Sequence, residues 1–95
     1  MREYEMVFIA RPSVEGEALQ ALIERLQNLI NENGEVLETD VWGKRTLAYP
    51  IAKEREGVYF LMRARMAPDY VAEFDRSVRF IDQIIRHLIV RIPEK

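Results

Sequence analysis

The chain has no cysteine, a single histidine and only four glycines in 95 residues. Without cysteine there are no disulfide staples, no thiolate metal ligands and no thiol nucleophile, which suits a reducing compartment. His87 alone cannot build a multi-histidine metal site. Gly16, Gly34, Gly43 and Gly57 are isolated from one another, so no glycine-rich loop is available to cradle phosphates. No apolar stretch approaches the roughly 20 residues that span a membrane. The opening Met1-Arg2-Glu3-Tyr4-Glu5 alternates charge where a secretion signal needs an apolar run. The expectation is a soluble, cytoplasmic chain of one compact domain, residues 1–95.

A charge excess is missing too. Sixteen acids face fourteen lysines and arginines, a formal net charge of −2. Taken as a sum, that balance argues against a nucleic-acid partner. The sum hides an asymmetry: residues 1–40 carry nine acids and three bases, whereas residues 41–95 carry eleven bases and seven acids. Eleven of the fourteen bases are arginine, the planar multi-donor side chain suited to phosphates and base edges. The positions of those arginines therefore matter more than their number.

Residues 3–10 alternate as a strand, with Tyr4, Met6, Phe8 and Ala10 on one side and Glu3, Glu5, Val7 and Ile9 on the other. Arg11-Pro12-Ser13 breaks it. Residues 16–33 carry Leu19, Leu22, Ile23, Leu26, Leu29 and Ile30 at helical spacing, and Asn33-Gly34 reads as a left-handed stop. From Glu35 to about Tyr49 the chain reads as extended, with a bulge or bend at Gly43. Pro50 and the run Lys53 to Gly57 read as the next turn. Residues 58–66 alternate again, with Tyr59, Leu61, Arg63 and Arg65 sharing one face. Ala67-Pro68-Asp69 opens a second helix with stripe residues Val71, Phe74, Val78 and Ile81, and residues 84–92 form a last strand.

The order βαββαβ with right-handed crossovers predicts an α+β, ferredoxin-like sandwich. Four antiparallel strands form one sheet, the first and third in its middle, with both helices on one face. The other face is left open, and function is sought there.

Catalysis is not supported. Ser13 lies in a turn and Ser77 inside a helix, with His87 the only imidazole for either. The paired carboxylates on the helices read as solvated faces rather than as an acid–base pair. No catalytic residue, metal, cofactor or small-molecule substrate is expected. His87 alternates with Ile85 and Ile89, which places it on the helix-covered side; a contact to RNA beside Arg86 is the competing placement.

The open face carries Tyr59, Leu61, Arg63 and Arg65, then Arg86, Leu88 and Val90. Arginines between aromatic and aliphatic residues can grip phosphates while packing a partner. The extended arm adds Trp42, Lys44, Arg45 and Tyr49. An RNA-recognition motif is excluded, because Glu3 and Glu5 stand where that module needs stacking aromatics.

Met1-Arg2-Glu3-Tyr4-Glu5, the stretch Trp42-Gly43-Lys44-Arg45-Thr46-Leu47-Ala48-Tyr49-Pro50-Ile51-Ala52-Lys53, the Gly57-Val58-Tyr59 strand start and Arg79 to His87 together resemble the bacterial small-subunit ribosomal protein S-six family. The resemblance covers Met1 to about Arg91. It implies a non-catalytic constituent of the small ribosomal subunit. Such a protein binds the central domain of small-subunit ribosomal RNA as a heterodimer with ribosomal protein S-eighteen. Carried over by motif position, Arg2, Lys44, Arg45, Arg79 and Arg86 are the expected RNA contacts. Trp42, Tyr49, Tyr59, Leu61 and Arg63 are the expected protein-partner surface. Many relatives continue in a charged tail, whereas this sequence ends at Lys95. The rival reading is a homodimeric ferredoxin-like ligand-binding or regulatory module, which explains an apolar open face but not the arginines beside Trp42.

Overall fold

Period-two alternation becomes a two-sided sheet in the computed structural model of the chain, which describes residues 1–93. The elements are β1 (Arg2–Ala10), α1 (Glu17–Asn31), β2 (Gly34–Ile51), β3 (Glu54–Met66), α2 (Pro68–Arg79) and β4 (Ile84–Arg91). The strands are antiparallel in the order β2-β3-β1-β4. This is the ferredoxin-like α+β arrangement that the element order implies.

β1 and β3 pair without a slip from Arg2 opposite Met66 to Ala10 opposite Val58. The even-numbered residues from Tyr4 to Ala10 and from Val58 to Met66 point to the helices and are buried. Phe8 stands opposite Phe60, and the two rings stack with centroids 5.1 Å apart. Leu22, Ile23, Leu26 and Ile30 of α1 close this core, joined by Tyr70, Phe74 and Val78 of α2. Each large apolar side chain fully buried here contributes about 1.5–3 kcal/mol. Pro68 opens α2 and Asp69 follows in its first turn, where a missing N–H costs nothing and a carboxylate meets the positive dipole end.

His87 lies on the helix-covered side. Its Nε2 is 2.6 Å from Asp75 Oδ1, and its ring stacks on Phe8 at 6.4 Å. The pair ties β4 to α2 across a layer boundary. Contact with RNA beside Arg86 is thereby excluded for this imidazole, because Arg86 is on the opposite face.

Two sequence expectations change. Gly34 is not a left-handed stop: its φ is not positive, and it starts β2 opposite Met66. Glycine is needed there because a Cβ would overlap the Arg65 carbonyl oxygen. The turn between β2 and β3 is not Lys53 to Gly57 but the two residues Ala52 and Lys53, at φ 50° and 67°. Pro50 does not end β2: it lies in the irregular stretch between Thr46 opposite Glu56 and Ile51 opposite Glu54, where no ladder hydrogen bond is asked of it. Successive positive φ values mark a tight primed hairpin turn, whose usual occupants are Asn and Gly. A left-handed non-glycine residue costs roughly 1–2 kcal/mol. Lys53→Gly is therefore expected to stabilise the chain by about 0.5–1 kcal/mol, read as a higher urea midpoint at unchanged slope.

Tyr70 joins the helices: its hydroxyl donates to the Leu29 carbonyl at 2.7 Å and lies 3.3 Å from Glu32 Oε2. Burial first, then the Glu32 carboxylate, pushes this phenol above its ordinary 10.0. The folded chain thus keeps Tyr70 neutral at a pH where the unfolded chain has released the proton. Its contribution is present below pH 10 and is lost as pH rises through the folded pKa. Tyr70→Phe should cost about 1–2 kcal/mol at pH 7. It should also lose less stability than the parent between pH 9 and 11, which urea unfolding at each pH will show.

Candidate functional site

The face opposite the helices is organised in rows set by strand register. Glu35, Arg65 and Glu3 form the first row; Glu38, Arg63, Glu5 and Val90 the second. Asp40, Leu61, Val7 and Leu88 form the third. Gly43, Tyr59, Ile9 and Arg86 form the fourth, with Trp42 inserted beside it. The face therefore runs from charged, through apolar, to an aromatic row ending in arginine.

At the charged end the arginines are neutralised. Arg65 Nη1 bonds Glu35 Oε1 at 3.2 Å. Arg63 Nε lies 3.2 Å from Glu3 Oε1 without hydrogen-bond alignment, and its Nη2 is 3.7 Å from Glu38. Exposed pairs of this kind contribute about 0–1 kcal/mol each. Their effect is on the sign of the surface: with Glu5 and Asp40 added, carboxylates outnumber guanidiniums.

The aromatic row depends on a bulge. Val41 pairs with Phe60 and Gly43 with Tyr59, leaving Trp42 as the extra residue, and Gly43 takes φ 91° to accommodate it. The Trp42 ring then stacks on Tyr59 at 6.4 Å and 15°, and its Nε1 donates to Asp40 at 3.0 Å. It remains 43% exposed, as do Leu88 (57%) and Val90 (50%). Large apolar area is thus left uncovered in one continuous band.

Beyond Gly43 the β2–β3 hairpin arm bends over this end of the face. Ile9 and Leu47 are buried apart from the helix-side core. Both lie over Gly57, where a Cβ would overlap Ile9 Cγ2 and sit 3.7 Å from Leu47 Cδ2. At the arm's far side Arg86 Nη1 of β4 donates to the Tyr49 hydroxyl at 2.7 Å. A phenol acceptor orients the guanidinium without cancelling its charge.

The five basic residues singled out from sequence separate accordingly. Arg45 and Arg86 lie at the arm end of the open face, whereas Lys44, opposite the core residue Val58, faces the helix layer at that same end. Arg45 forms no ion pair among the described residues, and Lys44 is 3.8 Å from Glu15. Arg79 ends α2 on the helix layer, with its Nη2 at 2.8 Å from Asp75 Oδ2. Arg2 lies at the opposite end of β1, seven strand positions from the Ile9–Arg86 row, or about 23 Å. Of the aromatic set, Trp42, Tyr59 and Leu61 are together on the open face, Tyr49 belongs with Arg86, and Arg63 belongs to the acidic rows. Sequence spacing gave no signal for the Tyr49–Arg86 bond or for Leu47 over Ile9, since both depend on how the arm bends. Among the described residues no cluster of His, Asp or Glu could hold a metal ion, and no helix is long and apolar enough to cross a membrane.

The family model described as ribosomal protein S6 matches residues 3–91. The chain belongs to the ribosomal protein S6 family. Small ribosomal subunit protein bS6 of Desulforamulus reducens is 46% identical over 95 residues, spanning 99% of this chain and 100% of that protein. The crystal structure of 30S ribosomal protein S6 from Thermotoga maritima superimposes with a TM-score of 0.89 at 32% identity, covering 96% of this chain and 87% of that one. An Arabidopsis thaliana protein at 14% identity matches with a TM-score of 0.59, covering 100% and 96% of the two chains, and shows the fold alone. The S6 family is one of structural ribosomal proteins, not enzymes. Within the matched residues, the stretch Trp42 to Lys53 is the bulge and arm just described.

Gly57 is the point on which that arm closes. Gly57→Ala is expected to cost about 1–3 kcal/mol through overpacking against branched Ile9 and the Ala10 carbonyl at 3.2 Å. Chemical denaturation measures the loss, and amide exchange should show it concentrated in residues 44–57.

Proposed function

We propose that the whole chain acts as one ribosomal RNA-binding domain, a structural constituent of the small ribosomal subunit in the cytoplasm. It binds the central domain of small-subunit ribosomal RNA together with ribosomal protein S-eighteen. The observation that carries this reading is the division of the open face. Its arm end presents guanidiniums not cancelled by carboxylates, and the rest is an apolar band running into an acidic one.

Phosphates are attracted to the first region and repelled by the second. Arg45 and Arg86 are the principal phosphate ligands, Lys44 a weaker one because Glu15 competes for it, and Arg79 a peripheral one because Asp75 holds it. Arg2 makes a separate contact at the far end of β1. The band of Trp42, Tyr59, Leu61, Leu88 and Val90 takes the protein partner, with Arg63 among the acids at its margin. A partner that covers it must bring apolar side chains for the band and cations for Glu3, Glu5, Glu35, Glu38 and Asp40. Such a basic partner adds the phosphate attraction that a chain of net charge −2 lacks. RNA recognition then proceeds by shape and backbone rather than by reading base edges.

Filter-binding titrations with a central-domain RNA fragment, at several salt concentrations and with S-eighteen present, test this. Arg45→Ala and Arg86→Ala should each weaken binding by about 1–3 kcal/mol and lower the salt slope by about one. Tyr49→Phe keeps the charge and loses only its orientation, so affinity should fall about twofold to fivefold at an unchanged slope. Unchanged slopes in both arginine variants would remove those residues from the interface. A tight homodimer in sedimentation, indifferent to ribosomal RNA, would favour the regulatory-module reading instead.

A further inference from the structure

Phe80 is 81% exposed, more than any other large apolar side chain among the described residues, and nothing in the open face accounts for it. It follows the last residue of α2 and lies on the helix layer, away from the aromatic row. Its neighbours Val78 and Ile81 are buried at 1% and 2%, so the turn cannot roll Phe80 inward without exposing them. The turn is also tied down. Phe80 N–H donates to Ser77 O at 3.2 Å and Ile81 N–H to Val78 O at 3.0 Å. Arg11 holds the following residues, donating from its backbone to Gln83 O at 2.9 Å and from Nε to Asp82 O at 3.0 Å. The ring is presented outward on a fixed support.

Its surroundings choose the occupant. Arg76 lies one helical turn before it and Arg79 beside it, both in the exposed last turn of α2. Arg79 keeps a side chain 72% exposed while its guanidinium is held by Asp75, so it stays accessible in a fixed place. The nearby acids are Asp75, engaged by Arg79 and His87, and Asp82, paired with Arg11 at 3.5 Å. The other outward positions of α2, among them Asp69, Ala72 and Glu73, offer no second large apolar side chain. A protein anchor is normally ringed by further apolar contacts that exclude water. A lone aromatic next to arginines is instead the arrangement that stacks a nucleobase and holds its phosphates.

We infer that Phe80, flanked by Arg76 and Arg79, is a stacking platform for one unpaired base of ribosomal RNA. It is a contact separate from the Arg45–Arg86 region, and it rests on the RNA-binding reading above. Stacking on this ring adds affinity without adding to the salt dependence, because phenylalanine carries no charge.

The test uses the full chain with S-eighteen and the same central-domain RNA fragment. Phe80→Ala and Phe80→Leu should each weaken binding about tenfold at an unchanged salt slope, whereas Phe80→Tyr should stay within about twofold of the parent. Chemical probing of the RNA should show one base protected by the parent and by Phe80→Tyr, and reactive with Phe80→Ala. Unfolding midpoints close to the parent's are expected for all three, since the side chain is outside the core. Undiminished affinity of Phe80→Ala, with Arg45→Ala and Arg86→Ala weakened, overturns the platform and leaves the RNA reading standing. Undiminished affinity in all of them overturns both. Loss of association with S-eighteen in the absence of RNA would make Phe80 a protein contact and also overturn the platform.

Discussion

The pairing of Phe8 with Phe60 in the centre of the sheet fixes most of what surrounds it. Side chains alternate across a strand, so this one register puts Tyr4, Met6, Ala10, Val58, Met62 and Ala64 under the helices. The same register aligns Glu3 with Arg65, Glu5 with Arg63, Val7 with Leu61 and Ile9 with Tyr59 on the other side. A slip of one residue would drive carboxylates and guanidiniums into the core, at a desolvation cost that no packing could offset. Core and functional face are thus two sides of one constraint.

On the open face, electrostatics decides partner chemistry more than stability. The Glu35–Arg65 and Glu3–Arg63–Glu38 contacts are exposed and weak, but they convert two arginines into neutral partners and leave a local acidic excess. At the other end Arg86 is held by a phenol and keeps its full charge. A whole-chain charge of −2 is therefore compatible with RNA binding, because the positive potential is confined to one end.

Much of this was legible in the sequence. Alternation in residues 3–10 and 58–66, the two helical stripes and the glycine at 43 are local signals, and the structure follows them. What stayed hidden depends on tertiary approach. Gly34 looked like a helix stop because backbone crowding by Arg65 has no local signature. Ala52 and Lys53 carry no turn chemistry, while Pro50 and Gly57 nearby carry strong but misleading turn signals. Tyr49 and Arg86 are 37 positions apart, and only the bend of the arm joins them. Phe80 stands between Arg79 and Ile81 in sequence with no signal of its facing, and only its exposure beside buried Val78 and Ile81 shows that it points outward.

The place of β1 in the sheet also sets an order of events during synthesis. It sits between β3 and β4, both of which emerge later, and Arg91 follows Ala10 by about eighty residues. At roughly 5–20 residues per second, the run Met6-Val7-Phe8-Ile9-Ala10 waits on the order of seconds with both edges unpaired. The β2–β3 hairpin, being local, can form in the meantime and offer the first template. Arg2, Glu3, Glu5 and Arg11 bracket the waiting strand with charge, which hinders its pairing with a neighbouring nascent chain. The acids that later line the open face thus guard the apolar strand before there is a face to line.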